Sequence, residues 1–182
     1  MNMCGEIDEE ITIPELVKEG SLCPHQDYVY FNYPTKAEEQ EVRKFTERSN
    51  AMMQNLMRDE QLLSYIRTHK GLNGQSSDDL LLDDPAYLSS ILIYLQSRNV
   101  AFPSRLQRLL GAKRLPDMSI EWMERLLQGF LYDDADSYVC DKTYREMLTD
   151  QLKAQGLIEK RKVVMTRSAA VEKLLTNSLG KC

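Results

Sequence analysis

Histidine, cysteine and tryptophan are all scarce here, with two, four and one respectively in 182 residues. The scarcity of cysteine and histidine removes classes of chemistry. Cys4, Cys23, Cys140 and Cys182 are scattered and form no Cys-x-x-Cys pair, which suits reduced thiols better than a disulfide framework. Cys23 and His25 are near neighbours, but no second ligand pair completes a zinc site, so Cys23 reads as a small apolar residue beside a strand. His25 and His69 are the only side chains suited to act as a base near neutral pH, and no serine sits in a nucleophile elbow. Gly71 and Gly74 lack the lysine and following helix signature of a phosphate loop. No apolar run approaches the roughly 20 residues of a membrane span. The stretch Met1-Asn2-Met3-Cys4-Gly5-Glu6 lacks the basic start and apolar core of a signal peptide. The expectation is a cytoplasmic chain with no catalytic residue, no metal site, no cofactor and no membrane partner of its own.

Apolar residues make up 42% of the chain, enough for a core at this length, and the formal net charge is −5. That charge gives no overall field to attract nucleic acid, so any such contact must come from a local patch. Thr12, Pro14 and Glu15 signal a short capped helix that Gly20 stops. Residues 22–34 are rich in aromatic and β-branched residues between two prolines and read as a strand. Thr35 with Glu38 forms a second capping box and opens the longest helix. Its core-facing stripe, Val42, Phe45, Ser49, Met52, Leu56, Leu63 and Ile66, carries it to about Thr68 with one gap near Glu60. Met52, Met53 and Met57 read as core filling rather than as a binding face. Residues 71–79 form the clearest loop.

Asp84-Pro85 starts a helix bearing Tyr87, Leu88, Ile91, Leu92 and Leu95. Pro103 opens a short helix ending at Gly111, and Ser119 caps another carrying Trp122, Leu126, Leu127, Phe130 and Leu131. A further helix spans about 141–155 with Gly156 as its stop. Residues 157–165 read as a second strand, and Ser168 begins a last helix through Leu175. The expected fold is mainly α: a bundle of five or more helices with two flanking β-strands, around Val29 and Val163, able to pair with each other. The domain plan is 1–34 as a junction segment, 35–156 as the helical bundle, and 157–182 as a closing strand and helix.

Two acidic runs, at Asp78, Asp79, Asp83 and Asp84 and at Asp133, Asp134 and Asp136, lack calcium-loop spacing and read as helix caps and solvated loops. Two basic groups are the candidate nucleic-acid contacts. Arg98, Arg105, Arg108, Lys113 and Arg114 have no acidic residue between them, while Lys160, Arg161, Lys162 and Arg167, with Lys153, surround the late strand against Glu159 alone. On one shared face they would form a patch that binds phosphates and releases counterions. The succession of helix, Gly156, Leu157 and basic strand also looks like the last helix and first wing strand of a winged helix.

The two ends resemble a family. Ile11-Thr12-Ile13-Pro14-Glu15-Leu16-Val17-Lys18-Glu19-Gly20-Ser21-Leu22-Cys23-Pro24-His25-Gln26-Asp27, followed by Pro34-Thr35-Lys36-Ala37-Glu38-Glu39, is similar to the junction after the first motor lobe of bacterial DEAD/DEAH-type superfamily 2 helicases. There a short helix and a Gly-x-Leu-x-Pro turn lead into a strand and a Pro-Thr-x-x-Glu helix start. Lys173-Leu174-Leu175-Thr176-Asn177-Ser178-Leu179-Gly180-Lys181 resembles the approach to the second motor lobe. The likeness covers roughly the first 40 and last 30 residues and leaves the central helices unplaced. It implies a helical insert between two RecA-like lobes of one polypeptide, positioning nucleic acid, DNA in preference to RNA, against the motor. The chain has no phosphate-loop lysine, no Asp-Glu-x-His or Asp-Glu-Ala-Asp box and no arginine-finger motif. ATP and Mg2+ would accordingly belong to the motor lobes of the parent hydrolase. The alternative is a stand-alone interaction module or a winged-helix-like transcription regulator.

Overall fold

The computed structural model describes Lys18, residues 35–75, Ser77 and residues 81–172. The chain divides at Tyr33/Pro34, and the described residues other than Lys18 belong to the second unit. The expected strand at 22–34 lies outside the described residues, as does the short helix before it apart from Lys18. So do Cys23, His25, Asp78 and Asp79.

The described residues are mainly helical. Helix α1, Lys36–Leu56, opens on the expected capping box: Thr35 Oγ1 accepts from the Glu38 amide at 3.3 Å and Glu38 Oε2 accepts from the Thr35 amide at 2.7 Å. One stripe of α1 is buried, Phe45, Ser49, Met52 and Leu56. The helix does not continue to Thr68. Asp59 Oδ1 accepts from the amides of Gln61 at 2.8 Å and Leu62 at 3.0 Å, starting a separate helix α2, Glu60–Ile66. An aspartate that satisfies two first-turn amides makes a new start cheaper than continuation. The turn also places Leu62, Leu63 and Ile66 in the core.

The junction between α1 and α2 is pinned from elsewhere. Tyr94 Oη donates to the Leu56 carbonyl at 3.3 Å, Tyr144 Oη donates to Asp59 Oδ2 at 2.6 Å, and Arg98 donates to the Met57 carbonyl. Backbone carbonyls exposed by a helix break are thereby satisfied from side chains.

Helix α3, Pro85–Ser97, is capped by Asp84, whose Oδ1 accepts from the Tyr87 amide at 2.9 Å, with proline in the first turn. Eight of its residues are buried, on all sides, so α3 runs through the middle of the molecule. Tyr87, Ile91, Tyr94 and Leu95 join the larger apolar cluster, while Leu88, Leu92 and Ile93 join a smaller one with Leu81, Leu106 and Leu115. Each fully buried leucine or isoleucine contributes about 2 kcal/mol in transfer free energy.

Helix α4, Ser104–Leu109, ends before Gly111, which sits at φ 63. Helix α5, Ile120–Gln128, starts at the Ser119 cap and packs most extensively against α3. It runs into a π-helical turn, Gly129–Asp133, that buries Phe130 and Leu131, and then a 3-10 turn, Ala135–Ser137. Helix α6, Lys142–Ala154, is capped by Asp141 and ends at Gly156, φ 69.

The segment expected to be one strand doubles back. Strand β1, Ile158–Glu159, pairs antiparallel with β2, Lys162–Val163, so that Ile158 faces Val163 and Glu159 faces Lys162. Lys160 takes φ 57 at the bend. The reason lies in the pattern of burial: Leu157, Val163 and Met165 are buried, whereas the four charged residues between Ile158 and Val163 are exposed. A run of four charges does not cross a core, so the chain turns at the surface. This hairpin is the sheet of the described residues. Residues 167–172 are helical, and the remainder of the expected last helix lies outside the described residues. Among the described residues no helix is long and apolar enough to cross a membrane.

Candidate nucleic-acid interface

The hairpin is held by α5 through two side chains one helical turn apart. Glu124 Oε2 accepts from the Met165 amide at 2.6 Å and the Thr166 amide at 2.9 Å. Gln128 Oε1 accepts from the Val163 amide at 2.9 Å, and its Nε2 donates to the Arg161 carbonyl at 3.3 Å and to Asp133 Oδ1 at 3.0 Å. Beneath these bonds Leu157, Val163 and Met165 are fully buried in the larger cluster. A two-residue ladder is marginal by itself. Here the ladder is the outer edge of an anchored unit.

The hairpin presents Lys160, Arg161 and Lys162 to solvent, with Arg167 exposed just beyond. At about 3.3 Å per residue, three consecutive cations fall within about 10 Å. Lys160, Lys162 and Arg167 form no ion pair among the described residues. Lys162 borders a cleft that also holds Glu121, Glu124 and Asp133, so its charge is partly balanced. Arg161 lies over the ring of half-buried Tyr132, its Cζ 5.5 Å from the ring centroid. Burial raises the Tyr132 hydroxyl pKa, and the nearby Arg161 opposes that shift.

Helix α6, which would be the groove-reading helix of a winged helix, has a different surface. Its exposed Lys142 and Lys153 are matched by exposed Glu146 and Asp150, with Lys153 paired to Asp150 at 3.8 Å. Arg145 is turned inward, donating to the Ala135 carbonyl at 2.9 Å and stacking over Phe130 at 5.3 Å. Of helix α6 and the hairpin, it is the hairpin that carries three consecutive exposed cations.

The first basic group divides. Arg98, with its side chain 12% exposed, donates to the Met57 carbonyl and pairs with Glu60, so it works in the fold rather than facing a ligand. Arg105, Arg108, Lys113 and Arg114 are exposed. They flank Leu106 and Leu115 of the smaller cluster, whereas the hairpin belongs to the larger. Separate cores thus support the two basic groups.

The other concentration of titratable side chains surrounds His69. A cavity of about 380 Å3 is lined by His69, Tyr87, Asp84, Arg125, Asp133 and Asp134 among others. His69 Nε2 lies 2.8 Å from Asp134 Oδ2, and Nδ1 accepts from the Gly71 amide at 3.1 Å. With Nδ1 an acceptor, Nε2 carries the proton toward Asp134. Both ring nitrogens are therefore engaged, and neither faces the cavity as a base. The hydroxyls of Tyr87 and Tyr138 hydrogen-bond to each other, and burial pushes both phenols well above their ordinary pKa. Asp84 caps α3 and pairs with Arg125, while Asp134 also accepts from Ser137 Oγ at 2.6 Å. These acidic residues act as caps and ties, and the network fastens α2, α3 and the π-helical turn.

Glu124, Gln128 and Tyr132 went unread in the sequence. The first two look like ordinary polar positions on the open side of an amphipathic helix, and their partners in the hairpin and the residues after it lie 33 to 42 residues away. Tyr132 was hidden by the acidic run that follows it. Among the described residues no group of three or more His, Cys, Asp or Glu is arranged to hold a metal ion. No protein-family model, curated protein or solved structure matches this chain.

Proposed function

We propose that this chain is a nucleic-acid-positioning accessory domain of an ATP-driven helicase, inserted between two RecA-like lobes of one polypeptide and contacting phosphates through the hairpin. The observation that carries the nucleic-acid part is the clamped hairpin with Lys160, Arg161 and Lys162 exposed along it. The helicase part rests on the resemblance of the two ends. The role is mechanical: a rigid bundle holds a strand in place while the lobes, with ATP and Mg2+ of their own, move it. A cytoplasmic location goes with this reading.

Titrating the purified chain with labelled single- and double-stranded DNA at two salt concentrations tests it. Contacts from Lys160, Arg161, Lys162 and Arg167 give a slope of log affinity against log salt of about −2.8 to −3.6, at about −0.7 to −0.9 per phosphate. Absence of binding even at low salt would remove the proposal. A second reading, a stand-alone winged-helix-like regulator, is favoured by the order α6, Gly156, β1, β2. The coding sequence separates the two, since a helicase insert requires continuation past both ends with a phosphate loop upstream.

A further inference from the structure

We infer that the hairpin corner takes single-stranded nucleic acid, with Tyr132 as the platform on which a base stacks and Arg161 as the cation that moves from the ring to the flanking phosphate. This rests on the nucleic-acid reading above and narrows its ligand. The juxtaposition is specific: a half-buried tyrosine ring with a guanidinium over it, beside two further exposed cations.

Two observations and one general rule of stacking favour a single strand over a duplex. First, α6 offers a groove no net positive charge, because Lys142 and Lys153 are cancelled by Glu146 and Asp150. A helix that enters the major groove brings its residues close to both phosphate walls, where those carboxylates are repelled. Second, Arg145, the remaining cation of α6, is committed to Phe130 and the Ala135 carbonyl. Third, stacking on an aromatic ring needs an unpaired base, and cations beside an aromatic ring are the usual composition of single-strand sites.

The exchange at Tyr132 is favourable on magnitudes. A partly exposed cation–π contact is weaker than base stacking on an aromatic side chain. A base that displaces Arg161 from the ring therefore gains more than the ring loses. The released guanidinium then meets the neighbouring phosphate as a charge-assisted donor.

The test compares a labelled oligo-dT strand and a labelled duplex binding to the full chain by fluorescence anisotropy. The proteins are wild type, Tyr132→Phe, Tyr132→Leu and the triple variant K160A/R161A/K162A. Phenylalanine keeps the ring, whereas leucine keeps apolar packing against the core and removes the platform. The expected result is wild-type affinity for Tyr132→Phe, a loss of about ten-fold or more on oligo-dT for Tyr132→Leu, and unchanged duplex binding for both. Equal oligo-dT affinity for Tyr132→Leu and wild type, or equal losses on strand and duplex, would overturn the inference while leaving the nucleic-acid reading in place. An unbound wild type, or a triple variant that binds as wild type does, would remove that reading as well.

Discussion

Replacing Glu124 by alanine tests whether the hairpin is a clamped unit. The carboxylate accepts two backbone amides at once, from Met165 at 2.6 Å and Thr166 at 2.9 Å, and Met165 is only 1% exposed. A hydrogen bond to a charged group contributes about 1.5–3 kcal/mol, and an unsatisfied buried amide costs about 1–3 kcal/mol. Glu124 itself is half-buried, so water recovers part of this, leaving about 2–3 kcal/mol for the pair. If β2 and the following residues open as a local unit, amide exchange at Met165 and Thr166 speeds up by roughly 30- to 150-fold, at about 1.4 kcal/mol per decade. The Val163 amide, held by Gln128, follows to a smaller extent. Exchange in α3 should stay nearly unchanged, because its eight buried residues are protected by the whole core. Glu124→Gln keeps an acceptor oxygen and should show a much smaller effect. Hydrogen exchange followed by NMR or mass spectrometry reads all three regions together. Wild-type exchange at Met165 and Thr166 in Glu124→Ala would refute the clamp, and equal acceleration in α3 would show that the hairpin is no separate unit.

Three other outcomes follow from the same packing. Tyr87→Phe and Tyr138→Phe each leave a buried hydroxyl alone and should cost about 1–3 kcal/mol in urea unfolding, whereas the double variant should cost less than the sum. Arg98→Ala should lower stability by about 1–3 kcal/mol through the lost Met57 carbonyl partner, with oligonucleotide affinity unchanged. Burial holds the phenols of Tyr87, Tyr94, Tyr138 and Tyr144 above their ordinary pKa. The folded state therefore retains protons that the unfolded chain releases above about pH 10, and stability falls with rising pH by about 1.4 kcal/mol per unit for each such tyrosine. Of the nine tyrosines, these four should ionise only together with the loss of helical circular dichroism, and their ionisation in a still-folded chain would contradict the packing.

Much of the fold was legible because helix ends are written locally. Thr35 with Glu38, Asp84-Pro85, Ser119 and Gly156 each act on amides or carbonyls a few residues away, and all four appear where the sequence places them. The break at Asp59 was half visible as a gap in the apolar stripe. Asp59 starts the second helix and is held by Tyr144, 85 residues later, which no local pattern displays. The hairpin was missed for a related reason. Its bend uses a lysine at positive φ instead of an Asn-Gly or Asp-Gly pair, so the usual turn signal is absent.

The site was less legible than the fold. A count of charges along the chain groups Arg98 with its exposed neighbours, but Glu60, 38 residues earlier, pairs with it beside the Met57 carbonyl. The same count finds Lys160, Arg161 and Lys162 correctly as exposed cations and says nothing of Tyr132 beneath Arg161. The ring is carried on the π-helical turn that follows α5 and begins at Gly129, where a side chain would collide with the Tyr87 ring.

The central claim is that a helical core holds one basic hairpin out to nucleic acid. An NMR titration of the isotope-labelled chain with a short single-stranded oligonucleotide at low salt tests it most directly. The account predicts shifts concentrated at Lys160, Arg161, Lys162, Arg167 and Tyr132. Shifts confined to Arg105, Arg108, Lys113 and Arg114, or to the open face of α6, would contradict it.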